Sequence, residues 1–158
     1  MTVCKPILDA MMVYQQKHSI TNMCITNTQF YLDCVKQNHP ELKPKARAVI
    51  VGNEDYICVG HLVVELKGGV VIDCSYDMVS TNDRVYFDAY ADFKGSKWYD
   101  ATWSQEEEKE RISTHLRFME HAKRMNEGQL LIVDKAYYDD QADFVETMVD
   151  GKQIEVDY

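Results

Sequence analysis

A chain of 158 residues with 46% hydrophobic and 11% aromatic residues is long enough to bury one core and too apolar to be disordered. Seventeen Lys and Arg against twenty-six Asp and Glu leave a formal charge of −9, which disfavours nucleic acid as the main partner because phosphate contacts need a basic face. Five cysteines without a CxxC pair argue against a disulfide scaffold or a zinc knot, and for reduced thiols in the cytoplasm.

The chain-order reading begins with residues 6–17, where Ile7, Leu8, Met11 and Tyr14 recur at helical spacing and Pro6 suits a first turn. The same stretch carries Asp9 and Gln15-Gln16-Lys17, which break the apolar run of a signal peptide, and no segment has the length of a membrane span. Ser19, Thr21 and Asn22 are candidate caps of a second helix that runs to about Asn38, stopped by "HPELKPK". Sheet follows: 46–52, 55–66 and 69–75 are rich in Val and Ile and bounded by turn residues, and 84–90 predicts a fourth strand. "ADFKGSKWYDATW" reads as loop and "SQEE" as the capping box of a long helix striped by Ile112, Leu116, Met119 and Ala122. "GQLLIVD" predicts a short strand, "DQADFVETMV" a last helix, and "KQIEVDY" a final strand or a tail. Helices, then sheet, then more helices point to an α+β fold: N-terminal helices on a central antiparallel sheet, with C-terminal helices. No linker divides the chain, so 1–158 is expected to be a single domain.

Cys24, His61 and Asp73 form a candidate thiol-enzyme constellation. A cysteine nucleophile needs an imidazole to take its proton and a polar group to fix the imidazole. The first turn of a helix stabilises a thiolate through unpaired N–H groups, and Cys24 falls there if the helix starts near Thr21. His61 interrupts one apolar strand and Asp73 the next. Their relation depends on the turn between them. Two residues would put Asp73 opposite Leu62, facing away from His61. Three residues, Lys67-Gly68-Gly69, would put it opposite Val63, diagonal to His61 on one face, and the Gly-Gly pair favours this version. Asp77 competes as orienter if a bulge changes the strand parity. Tyr86, Trp98 and Trp103, in an aromatic stretch after the hairpin, are candidate cleft walls; a cover over the core is the plainer reading. The other histidines (His18, His39, His115, His121) show no metal-binding spacing, so neither metal nor cofactor is expected.

A helix-borne Cys, a His on a strand and a polar residue twelve positions later resemble the papain-like superfamily. "HLVVELKGGVVID" looks like the His-strand-turn-strand segment of NlpC-type peptidases and is similar to segments of transglutaminase-like proteins and arylamine N-acetyltransferases. The resemblance covers about 19–77; Met23-Cys24-Ile25 departs from the usual NlpC nucleophile segment, and Val63 stands where transglutaminases carry Trp. It implies a papain-like core over about 6–90 with a C-terminal extension over about 104–158. In that frame Cys24 is nucleophile, His61 base and acid, and Asp73 orienter. Oxyanion donors are the Cys24 N–H and a preceding side-chain amide, with Gln16 (by analogy with papain's upstream glutamine) and Asn22 as candidates. The implied activity is hydrolysis or transfer at an amide, peptide or isopeptide bond of a peptide or protein substrate. The competing expectation is a non-catalytic protein-binding or assembly module on the same fold.

Overall fold

In the computed structural model, residues 5–80, 83–132 and 134–150 are described. Helix α1 (Lys5–Lys17) buries Met11 and Tyr14 of the expected stripe together with Ala10 and Gln15, while Ile7 and Leu8 are half-buried. Helix α2 (Cys24–Asn38) starts without a side-chain cap, with Met23 rather than Ser19, Thr21 or Asn22 at the cap position. The chain then turns through a short 3-10 segment at Pro40–Leu42.

Strands β1 (Lys45–Gly52), β2 (Ile57–Leu66), β3 (Val70–Ile72) and β4 (Val85–Phe87) form one sheet in the order β3-β2-β1-β4, with every neighbouring pair antiparallel. Two short helices, α3 (Tyr76–Val79) and α4 (Tyr90–Lys94), flank β4, and the long α5 (Gln105–Asn126) and α6 (Lys135–Asp150) follow. The protein is therefore a mixed α+β fold. Ser104 caps α5 by accepting the Glu107 N–H, as the capping box predicts. Two further expectations fail. The stretch expected to be all loop contains α4, and 129–132 are irregular rather than a strand. Residues 152–158, the expected strand or tail, lie outside the described residues.

One face of the sheet carries Ala46, Ala48, Leu62, Val64 and Leu66 into a core shared with α1, α2, α5 and α6, through Met11, Leu32, Met125 and Val145 among others. Helices α5 and α6 thus contribute Ala122, Met125, Val145 and Met148 to the central core. At the β4 end, Ile50 and Val59 lie under Phe93 and a cover that includes Trp98, Tyr99 and Trp103. The opposite face, around Val49, Val51 and Val63, has a thinner cover of Tyr56, Met78 and Tyr86.

Two irregularities decide what happens next to His61. Val51 pairs with Cys58 and Val49 with His61, so β2 spends one more residue than β1 over this interval. This bulge changes the phase of β2 and puts Cys58 and His61 on one face. Strand β3 ends at Ile72, opposite Val64, and among the described residues the outer edge of β2 has no strand partner before that point. The first two turns of α2 occupy this edge. Thr28 Oγ1 donates to the Leu62 carbonyl at 3.3 Å, and the Cys24 thiol, one turn earlier, approaches the Gly60 carbonyl at 3.9 Å.

Candidate active site

The β2–β3 connection holds the three residues Lys67, Gly68 and Gly69: Leu66 pairs with Val70, Glu65 with Val71 and Val64 with Ile72. Both glycines have positive φ, 86° and 80°, which this tight return requires. The register sends Asp73 to the His61 face. His61 Nε2 and Asp73 Oδ2 are 2.9 Å apart, with the side chains 1% and 3% exposed.

Asp73 is held on every side. Its Oδ2 also accepts the Tyr86 hydroxyl at 2.7 Å, and its Oδ1 accepts the Ser75 N–H at 3.1 Å. Arg84 Nε donates to the Tyr86 oxygen at 2.7 Å, adding positive charge behind the carboxylate. The backbone past Asp73 is clamped by the buried Gln15 amide, which donates to the Cys74 carbonyl and accepts the Tyr76 N–H. A carboxylate so deeply buried is tolerable only with such partners.

Cys24 is the first residue of α2 and lines the same pocket as the His61 ring, close enough to act on its charge. With Nε2 facing Asp73, Nδ1 is the nitrogen left for the thiol. Burial works against a charged His61, but the charge and hydrogen bond of Asp73, together with Cys24, outweigh it and raise the pKa of the ring above its ordinary range. Cys24 and His61 line one pocket of about 210 Å³, with Ile25, Met78, Asp77 and Phe118 among its walls. Cys58 lines it too and donates to the same Gly60 carbonyl at 3.4 Å. Burial, reinforced by the negative fields of Cys24 and Asp77, pushes the Cys58 thiol up to about 12, so it stays protonated at neutral pH.

No family model, curated protein or solved structure matches this chain. The chemistry of the site therefore rests on its own geometry.

The remaining candidates fall elsewhere. Gln16 is exposed and absent from the pocket wall, so it is not placed to bind an oxyanion there; its neighbour Gln15 is committed to the clamp on β3. Asn22 does line the pocket, in a left-handed conformation with φ 58°. Asp77 is not the orienter of His61: it lies at the start of α3 and accepts the Asn22 N–H at 3.2 Å. Trp98 and Trp103 belong to the aromatic cover and Tyr86 to the support of Asp73, so none of the three walls the pocket at Cys24. Sequence reasoning missed Cys58, Met78 and Phe118 as wall residues. Only Gly60 hinted at the bulge that brings Cys58 in. Among the described residues, no group of three or more His, Cys, Asp and Glu side chains is arranged to hold a metal, and no helix is long and apolar enough to cross a membrane.

Proposed function

We propose that this chain is a cysteine-dependent hydrolase or acyltransferase with a papain-like catalytic arrangement, acting on an amide, peptide or isopeptide bond of a peptide or protein. The observation that carries this reading is the buried 2.9 Å His61–Asp73 pair, with Cys24 at the start of α2 lining the same pocket as the ring. A helix start, a strand and the residue just past the next strand supply the nucleophile, base and orienter that such proton transfer needs. Support comes also from the investment around Asp73, since an orienting carboxylate must itself be immobile.

In the proposed reaction the Cys24 sulfur, having passed its proton to His61, attacks the substrate carbonyl. The resulting oxyanion takes a hydrogen bond from the Cys24 N–H at the positive end of α2, with the Asn22 side chain as the adjoining amide. His61 gives its proton to the leaving amine, leaving an acyl-enzyme. It then takes a proton from water, for hydrolysis, or from an acceptor amine, for transfer. Asp73 keeps the ring in the orientation both steps need.

The test is pre-steady-state reaction with p-nitrophenyl acetate. The expected result is a burst of p-nitrophenol of about one equivalent per chain, with acetyl mass on the Cys24 peptide. Cys24→Ala should abolish the burst and His61→Ala should slow it on the order of 100-fold. Acetylation spread over several thiols with no burst would overturn the proposal and leave a packed, non-catalytic binding module as the reading.

A further inference from the structure

Among the described residues, Asp77 is the sole carboxylate lining the Cys24 pocket, and no Lys or Arg lines it. Its Oδ2 accepts one backbone N–H, from Asn22, and among the described residues it forms no ion pair. Other acidic side chains near the sheet are satisfied by cations: Glu65 by Lys45 and Arg47, Asp88 by Arg47, and Glu108 by Lys94. The protonated His61 ring in the same pocket is engaged by Asp73, so the half-buried Asp77 carboxylate has no ion-pair partner of its own among the described residues. Ile25, Met78 and Phe118 give the same pocket apolar walls. Apolar walls that lead to a carboxylate complement an aliphatic stem with a cationic end. The overall charge of −9 works in the same direction by drawing cations toward the surface.

We infer that Asp77 is a specificity residue, selecting peptide substrates with a positively charged side chain, Lys or Arg, beside the carbonyl that Cys24 attacks. The inference rests on the thiol-enzyme reading of the pocket. Asp77 also ties the recognition step to the nucleophile, because the backbone it holds, at Asn22, leads directly into Met23 and Cys24.

Three methanethiosulfonate reagents of different charge test it without knowledge of the substrate: aminoethyl (cationic), sulfonatoethyl (anionic) and methyl (neutral). The rate at Cys24 is read by peptide mass analysis of the full chain. The expected result is that Asp77→Asn lowers the cation-to-anion rate ratio about tenfold, while Asp77→Glu keeps most of the preference. Circular dichroism of both variants checks that each is folded. Fast modification of Cys24 with the same ratio in the wild type and Asp77→Asn overturns the charge selection while leaving the thiol reading intact. Failure of Cys24 to react faster than Cys34 with any of the three overturns both.

Discussion

His61 Nε2 lies 2.9 Å from Asp73 Oδ2, twelve residues away in sequence and on the neighbouring segment of one hairpin. The pair is 1% and 3% exposed, so each ring or carboxylate orientation is set by protein and not by solvent. Its titration should be visible in stability. The folded ring keeps its proton to about 10, whereas the ordinary value is 6.5. Between these values the unfolded chain binds fewer protons than the folded one, so stability falls as pH rises. The contribution is full below the lower value and lost through the upper. Urea midpoints of the wild type and His61→Gln should therefore converge as the pH is raised across that window. Parallel curves would show that the folded ring is neutral.

Tyr86 and Trp98 separate support of the site from cover of the core. Tyr86→Phe removes one donor from Asp73 and should cost about 1 kcal/mol and slow the acetyl burst several-fold. Trp98→Ala should lower the urea midpoint, since the indole packs on Gly52 and Phe87, but leave the burst rate of the folded molecules as it was. A large burst defect in Trp98→Ala would return that residue to the cleft.

Gly60 makes room for α5. A Cβ there would stand 2.7 Å from Phe118 Cε2 and 3.0 Å from Thr114 Cγ2. Gly60→Ala should destabilise by roughly 1–3 kcal/mol through overpacking at the bulge. Adding Phe118→Ala should make the double variant better than the sum of the two single changes, measured as a coupling in a double-mutant cycle. Strict additivity would mean that the strand, not the ring, absorbs the methyl.

Gln15 and Gln16 are adjacent and should behave oppositely. Gln15→Leu strands the Cys74 carbonyl and the Tyr76 N–H and removes one of the partners of Gln141, and should cost roughly 2–4 kcal/mol in urea unfolding. Gln16→Ala, at an exposed position, should stay within about 0.5 kcal/mol of the wild type and leave the burst rate intact. Loss of the burst in Gln16→Ala alone would restore it as an oxyanion donor.

Much of this protein follows from patterns inside short windows. Helical spacing marks α1, turn chemistry ends α2 and opens α5, and runs of Val and Ile mark β1 to β3, because each depends on backbone preferences and burial period within a few residues. The Gly-Gly pair even favours the three-residue turn that brings Asp73 to the His61 face, since positive φ at both positions is a local demand. Elsewhere, local pattern misled: the apolar run at 129–132 is not a strand. What the residues alone left open are relations between distant segments. The bulge before His61 is visible only against the register of β1, and the entry of Cys58 into the pocket follows from it. The seat of Cys24 beside the outer edge of β2 depends on where β3 stops. Tyr86 looked like a cleft wall because an aromatic side chain suits either role; its hydroxyl, 2.7 Å from Asp73, decides between them. Side-chain partners across the fold are chosen by packing geometry, which spacing along one chain does not encode.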